Sequence, residues 1–154
     1  MQCYKNAKPT EHIHVLDRAF HYGDGCFSTA RIRQNQIELF DRHLARLQYA
    51  NCKLYLNANL ELINETLTLL KQAHGELNGT LKIIISRGVG QRGYSLPDHP
   101  ADVWVFFYPQ VQASLDTAYH YDIIQSGVLT QAIGLSMPNL VGLKSLNRLE
   151  QVLL

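Results

Sequence analysis

Apolar residues recur at two spacings along this chain, and each spacing predicts one type of element. Near the start, residues 12–16 alternate weakly between polar and apolar side chains, which predicts a short edge strand. Residues 17–25 contain two glycines around an aspartate and are typical of a tight turn. Residues 26–40 read as two strands joined by a turn at residues 34–35, which predicts a β-hairpin.

Two segments in the middle of the chain have apolar residues at helical spacing. The first predicts a helix over 41–55, with Asp41 as its N-cap. The second predicts a helix over 59–73, and Gly75 lies where a helix is expected to end. Both helices are amphipathic, so each needs a partner for its apolar face.

Two later runs are rich in β-branched and aromatic residues and predict strands, at 80–86 and 103–108. The second run is almost continuously apolar, which predicts a strand buried on both faces. We therefore expect residues 1–108 to form an α+β domain. In it, the hairpin and both strands share one antiparallel sheet, and both helices pack against one face.

The last third of the chain predicts the start of a second domain, over 120–154. Residues 109–119 are polar and typical of an interdomain linker, and 121–124 and 128–135 predict short strands. An apolar run that begins at Leu140 then reads as a strand or strand end.

A polar cluster at residues 145–150 predicts the start of a helix with three leucines on one face. The sequence stops at Leu154 without the Gly, Lys or Arg that usually accompanies a helix end. We therefore expect the natural chain to continue beyond this residue.

Composition and charge narrow the class of protein. The chain has 154 residues, 46% of them hydrophobic and 18% charged, as in a globular domain. Its net charge of +1 gives no electrostatic basis for binding nucleic acid or an anionic membrane. No apolar run approaches the roughly 20 residues of a membrane span, and the first residues lack the apolar core of a signal peptide.

The cysteines and histidines predict neither disulfides nor a metal site. Cys3, Cys26 and Cys52 are odd in number and lack metal-type spacing, so we interpret them as reduced thiols of a cytoplasmic protein. None of the seven histidines belongs to a paired-ligand pattern.

Between the strands at 80–86 and 103–108 lies a glycine-rich loop that contains Arg87 and Arg92. Backbone N–H groups and guanidinium groups suit a phosphate or carboxylate, so the loop could bind an anion. The alternative is a long hairpin loop with solvated arginines. Residues 88–93 also match GxGxxG, but prolines follow where a dinucleotide site needs a helix N-terminus, so we reject that interpretation.

Lys144, the single cation of the apolar run, also has two interpretations. A lone lysine is usually solvated, and the segment by itself favours that interpretation. A desolvated lysine has a lowered pKa, because burial disfavours the charged form. Its neutral amine is then a nucleophile that can form a Schiff base.

Three segments, in register along the chain, resemble the fold-type IV pyridoxal-phosphate (PLP) enzymes, a family that includes branched-chain and D-amino-acid aminotransferases. Residues 17–25 resemble the family's first strand-turn, His43–Leu47 its HxxRL helix, and Gly142–Asn147 its Schiff-base segment. The resemblance covers nearly the whole chain. It implies the α+β N-terminal domain of that fold, the first part of a cofactor domain, PLP as cofactor and a homodimer with its pocket near the interface.

Within this family, three segments resemble the deoxychorismate lyases more than the aminotransferases. They are GCFSTAR at 25–31, SRGVGQRGYS at 86–95, and the run from Lys144 to Leu153. The resemblance implies elimination of pyruvate from aminodeoxychorismate, a small-molecule substrate, to give 4-aminobenzoate for folate synthesis. Two alternatives stay open: an aminotransferase of the same fold, and an inactive piece that persists only by association.

The resemblance also implies roles for individual residues, although each side chain taken singly also has an ordinary structural explanation. Lys144 would hold the cofactor and act as general base, Arg46 would bind its phosphate, and Thr29 would lie near the leaving enolpyruvyl group. Arg92 and Tyr94 would bind a substrate carboxylate, and Tyr22 and Phe27 would line the pocket.

One departure from the family is large. Family members are about twice as long, as expected for two domains. Their second half contributes a carboxylate to the pyridine nitrogen and a loop to the phosphate site. We therefore expect residues 1–154 to hold half of the site and to be inactive alone.

Overall fold

A six-stranded antiparallel sheet is the centre of the computed structural model, which describes residues 1–110 and 138–152. The strands are β1 (Gln2–Lys5), β2 (Lys8–Pro9), β3 (Gly25–Arg33), β4 (Gln36–Ile37), β5 (Gly79–Ser86) and β6 (Asp102–Pro109). The helices are α1 (Arg18–Tyr22), α2 (Phe40–Lys53), α3 (Glu61–His74) and α4 (Leu149–Val152), with a 3₁₀ turn at Pro138–Leu140. The strand order is β2-β1-β6-β5-β3-β4. This confirms the predicted α+β fold.

The two long helices cover one face of the sheet and form the core with it. α2 contacts β3 and α3 contacts β6. The strands alternate, so every second residue points towards the helices. The residues enclosed in this core include Cys26, Ile32, Leu47, Leu70, Ile83, Val105 and Phe107. The residues between them face the other side of the sheet, where β3 carries Phe27 and Thr29.

The edge strand predicted at residues 12–16 is wrong, because the sheet ends instead with β1 and β2. β1 pairs with β6, and the Asn6 side chain, just after β1, supports this pairing by donating to the Asp102 carboxylate at 2.8 Å. Ile13, Val15 and Leu16 are all exposed. Their weak alternation therefore corresponds to no buried face.

The tight turn predicted at residues 17–25 contains a short helix, α1. The Asp17 carboxylate caps its start by accepting from the Ala19 N–H at 2.8 Å. Gly23 ends it with φ of +63°, a conformation that glycine adopts without steric cost. A helix of five residues is too short to show an apolar period, so the sequence predicted only a turn here.

The predicted hairpin and helices are present with shifted ends. Gln34 and Asn35 form the hairpin turn with positive φ values of 47° and 66°. β4 is only two residues long, because α2 already begins at Phe40. Asp41 therefore lies in the first turn of α2 and is not its N-cap. That position belongs to Leu39, whose side chain makes no capping bond.

Most of the predicted linker and both short strands predicted at 121–124 and 128–135 lie outside the described residues. The domain boundary there stays a prediction. Within 1–110 and 138–152, no helix is long and apolar enough to cross a membrane.

Candidate active site

The segment around Lys144 lies against the open edge of β3. The Phe27 N–H donates to the Lys144 carbonyl at 3.0 Å, and the Leu146 N–H donates to the Gly25 carbonyl at 3.0 Å. Between these bonds Ser145 lies opposite Cys26. This edge is open because β4 pairs only with the far end of β3. The strand predicted from Leu140 is therefore wrong for most of the run: Pro138–Leu140 is a 3₁₀ turn, and only Ser145 forms a bridge to β3.

The helix predicted from residue 145 begins later, at Leu149. Ser145 and Leu146 are already engaged with β3, and their backbone cannot follow the helix at the same time. The polar cluster therefore belongs partly to a β-bridge, which a helical period does not reveal.

Three cations surround the Phe27 ring on the sheet face opposite the long helices. Lys144 Nζ lies 4.6 Å from the ring centroid, and Lys82 Nζ and Arg148 Cζ lie 5.5 Å from it. An aromatic face attracts each cation singly, but the cations repel one another. Within the described residues none of the three forms a salt bridge with a carboxylate, so this position is suited to an anion.

The pKa of Lys144 is lowered, chiefly by burial, which disfavours the ammonium form, and further by the positive charges of Arg148 and Arg46. The side chain is half-buried, whereas the sequence interpretation expected it to be buried. The reason is its place on a sheet edge, where one side stays open. The neighbouring cations therefore lower the pKa of Lys144 further than partial desolvation does alone.

Arg46 projects from α2 and is tied to the sheet through Ser28. Its Nη1 donates to the Ser28 hydroxyl at 3.4 Å, and that hydroxyl lies 2.8 Å from His43 Nδ1. Burial and then the charge of Arg46 lower the pKa of His43, which favours a neutral imidazole. Arg46 itself is exposed. The charge of Arg46 thus helps to lower the pKa of both His43 and Lys144.

Thr29 is on the same sheet face as Phe27, two residues further along β3, and its side chain is exposed. Its cross-strand partner on β5 is Lys82. Thr29 therefore lies at the border of the cation group around Phe27.

The other three predicted site residues gather at a different place, between α1 and the glycine-rich loop. The Tyr22 and Tyr94 rings lie 5.8 Å apart, and the Gly93 N–H donates to the Tyr22 hydroxyl at 3.3 Å. Tyr94 is 86% exposed, and Arg92 is also exposed. As described, these side chains are presented to solvent.

The seven predicted residues thus fall into two groups. Lys144 and Phe27 are in contact, Thr29 lies at their border, and Arg46, held by Ser28, is related to Lys144 only through its charge. The second group is Tyr22, Arg92 and Tyr94. No hydrogen bond, ion pair or ring contact among residues 1–110 and 138–152 joins the two groups directly. They are connected through Asn147, whose Nδ2 donates to the Gly23 carbonyl at 3.4 Å.

Arg87 has neither of the roles that the sequence suggested for it. It is buried, and its guanidinium donates to Asp24 Oδ2 at 2.8 Å and to the carbonyls of Leu54 and Tyr55 at 2.7 and 3.0 Å. It is therefore not solvated, and each of its three guanidinium nitrogens already donates to a partner within the protein. The loop's remaining candidate for an anion is Arg92.

Sequence reasoning missed Lys82 and Arg148. Lys82 is the only charged residue of β5, which was a signal, but its neighbours depend on strand register. Arg148 gave no signal at all, because it approaches Phe27 only when the segment that follows Lys144 binds to β3.

An apolar cavity of about 810 Å³ lies between the N-terminal segment and the sheet. None of the seven predicted residues lines it. It adjoins the cation group through Ile84, the cross-strand partner of Phe27. Its lining includes Cys3, Phe20, Ile84, Trp104, Phe106 and Leu146.

Known proteins resemble this chain over most of its length. A curated aminodeoxychorismate lyase from Vibrio harveyi is 33% identical over 155 aligned residues, which cover 96% of this chain and 54% of the lyase. The chain thus spans about half the length of this relative. The crystal structure of 4-amino-4-deoxychorismate lyase from Pseudomonas aeruginosa matches with a TM-score of 0.73 at 28% identity, covering 98% of this chain and 54% of that one.

A more distant structure shares the fold alone. A hypothetical aminotransferase from Mycobacterium tuberculosis, in a PLP-bound form, matches with a TM-score of 0.55 at 21% identity, covering 71% of this chain and 39% of that one. The sequence model of the amino-transferase class IV family matches residues 25–154, from the first residue of β3 through the Lys144 segment. This protein therefore belongs to the amino-transferase class IV family.

Proposed function

We propose that the complete protein is a PLP-dependent aminodeoxychorismate lyase, which eliminates pyruvate from 4-amino-4-deoxychorismate and releases 4-aminobenzoate for folate synthesis. The observation that carries the proposal is the 33% identity to the Vibrio harveyi lyase over almost the whole of this chain. The aminotransferase likeness at 21% identity supports only the shared fold. The lyase is therefore favoured over an aminotransferase.

The described residues fit PLP, which carries an aldehyde and a phosphate. Lys144 supplies an amine of lowered pKa for the aldehyde. Arg46 supplies a guanidinium for the phosphate, and Ser28, bonded to His43, orients it. When bound, the cofactor would accept the electrons released as bonds break at the carbon that bears the amino group.

The chain's own residues would then move one proton. With the substrate bound, Lys144 Nζ would accept the proton from the substrate carbon that bears the amino group. A neutral amine is required, and partial burial and the nearby charges of Arg148 and Arg46 favour it. Thr29 would lie near the departing enolpyruvyl group. Loss of the proton and of this group makes the substrate ring aromatic, which favours the reaction.

Arg92 and Tyr94 form the proposed substrate clamp, defined as the two exposed side chains that flank Gly93 in the glycine-rich loop. A guanidinium and a phenol hydroxyl can both donate to a carboxylate. Tyr22 and Phe27 would line the space between clamp and lysine.

Product analysis tests this function. The complete protein, loaded with PLP, is incubated with 4-amino-4-deoxychorismate alone, or with an amino acid and a keto acid. We expect 4-aminobenzoate and pyruvate in equal amounts from the first mixture. Amino-group exchange in the second mixture alone would establish an aminotransferase. Failure to bind PLP would favour the third alternative, an inactive piece that persists only by association.

We predict that Arg46→Ala weakens PLP binding by about 2–4 kcal/mol, because the bound phosphate and the rest of the complete protein would cover this exposed guanidinium and make it one partner of a desolvated charge pair. The dissociation constant is measured from the visible absorbance of the bound cofactor. Arg33→Ala is the matched control, because Arg33 is also exposed and lies at the end of β3 that is far from Ser28, the partner of Arg46. Equal cofactor affinity in the two variants would remove Arg46 from the phosphate site.

We predict that Arg92→Ala raises the Michaelis constant about tenfold or more and leaves PLP affinity unchanged, because the residue is assigned to the substrate. Gln91→Ala, an exposed neighbour in the same loop, should leave both quantities unchanged. Loss of PLP from Arg92→Ala would instead assign this residue to the cofactor.

A further inference from the structure

Arg18 is an almost fully buried arginine, 4% exposed, for which neither the family resemblance nor the proposed reaction provides a role. It begins α1, and the glycine-rich loop wraps around it. Its stem packs so closely on Gly90 that a Cβ at that position would lie 2.8 Å from Arg18 Cδ. Its guanidinium lies 4.8 Å from the Tyr22 ring centroid.

One nitrogen of Arg18 holds the loop on both sides of Tyr94. Nη1 donates to the Gly93 carbonyl at 3.0 Å and to the Ser95 carbonyl at 3.4 Å. The N–H of Gly93 is fixed as well, because it donates to the Tyr22 hydroxyl. The backbone that carries Arg92 and Tyr94 is therefore held by α1, although both side chains are exposed.

Asp24 binds the Arg18 guanidinium through Nε, whereas the loop is bound through Nη1. Its Oδ2 accepts from Arg18 Nε at 2.8 Å and from Arg87 Nε at 2.8 Å. The two arginines share this carboxylate but have different further partners. Arg87 donates to the carbonyls of Leu54 and Tyr55 at the end of α2, whereas Arg18 donates to the loop.

We infer that Arg18 is a positioning residue, which preorganises the clamp residues Arg92 and Tyr94 without touching the substrate itself. This inference rests on the proposed function, because the clamp is assigned there. An exposed loop with several glycines would otherwise lose conformational freedom each time a substrate binds. The contacts of Arg18 remove that freedom beforehand.

Arg18→Lys in the complete holoenzyme tests the inference. An ammonium keeps the charge beside Asp24, but a single donor centre cannot also reach the carbonyls on both sides of Tyr94. We expect the Michaelis constant to rise about tenfold with little change in kcat, the scale of one lost charge-assisted hydrogen bond. The visible absorbance of the bound cofactor should stay unchanged.

Arg87→Lys is the matched control, since it alters the other guanidinium on the same carboxylate. It should lower the melting temperature to a similar extent and leave the Michaelis constant unchanged. Gly90→Ala is a second variant, in which the added Cβ displaces the stem of Arg18 without altering any charge. It is expected to resemble Arg18→Lys, and it keeps the inference testable if a buried lysine prevents folding.

Hydrogen exchange of residues 88–95, measured by mass spectrometry, gives a readout that needs no substrate. We expect faster exchange in Arg18→Lys and Gly90→Ala and unchanged exchange in Arg87→Lys. In the Arg92→Ala background, Arg18→Lys should raise the Michaelis constant by a smaller factor than in the unaltered enzyme, because only Tyr94 of the clamp then remains to be positioned.

The outcomes separate this inference from the proposed function. If the unaltered enzyme makes 4-aminobenzoate, but the loop exchanges at the same rate in folded Arg18→Lys, the positioning role is overturned and the function stands. If the effects of Arg18→Lys and Arg92→Ala on the Michaelis constant were fully additive, the positioning role would be overturned as well. If the unaltered enzyme makes no 4-aminobenzoate, the proposed function fails. Loop exchange then still decides whether Arg18 holds the loop.

Discussion

Lys144→Ala in the complete protein is expected to abolish both the visible absorbance of the covalently bound cofactor and the turnover of 4-amino-4-deoxychorismate. The amine at this position is proposed to serve twice, as the covalent attachment point and as the base. Loss of a general base alone typically costs about 10²–10⁴-fold in rate, and loss of attachment adds to this.

Lys82→Ala provides the matched control for this result. Both ammonium groups lie within 5.5 Å of the same Phe27 ring centroid, so both substitutions remove one positive charge from one place. Only Lys144 is in the segment bonded to β3 that resembles the family's lysine segment. Lys82→Ala should therefore retain the absorbance of the bound cofactor.

The alternative results for Lys144→Ala have distinct meanings. Lost absorbance with slow remaining turnover would mean that PLP binds without its covalent link and that another group accepts the proton. Survival of both absorbance and full turnover would make Lys144 an ordinary lysine, and the assignment of the site would fail at its central residue.

Asp24→Ala is expected to lower the free energy of unfolding by about 3 kcal/mol, because it leaves two guanidinium groups without their shared carboxylate. The side chains of Arg18 and Arg87 are 5% and 9% exposed, and that of Asp24 is 15% exposed. Water can therefore replace the lost carboxylate only in part. Denaturant unfolding followed by circular dichroism measures the change.

Glu38→Ala is the control for this measurement. Glu38 and Arg33 also form an ion pair, but their side chains are 54% and 55% exposed and the charged atoms are 3.8 Å apart. Such exposed pairs contribute about 0.5 kcal/mol. Equal effects of Asp24→Ala and Glu38→Ala would contradict the assignment of Asp24 as a structural centre of this region.

The same carboxylate should make stability depend on pH at the acid end. Burial by itself would raise the pKa of Asp24, but the hydrogen bonds and charges of Arg87 and Arg18 outweigh it and lower the pKa. A lowered folded-state pKa means that the contribution is complete above the unfolded-state value. It is lost as the pH falls through the folded-state value. Asp24→Asn should therefore flatten the acid limb of the stability profile, whereas an unchanged limb would contradict this.

The elements with a clear side-chain period could be predicted from the sequence. Two amphipathic helices and the strands at 80–86 and 103–108 follow from side-chain spacing, and so does the turn at residues 34–35. Their sheet was also predictable, since the helices need an apolar face to cover. The motifs carried by local sequence, such as the family resemblance around Lys144, were equally visible.

Which side chains are neighbours could not be predicted from the sequence, because it depends on tertiary contacts. Ser145 pairs with Cys26 because β4 leaves that edge of β3 open, and this register brings Lys144 and Arg148 to the Phe27 ring. No local period encodes such a pairing across more than a hundred residues.

The short elements also depend on tertiary contacts. α1 is too short to have a period, and β1 joins the sheet through its partner β6. Arg18 and Arg87 resemble any other arginines in the sequence, yet both are buried because Asp24 lies between them. Local sequence fixes what a segment prefers to form. The burial and pKa of a charge depend on groups that only the folded chain brings together.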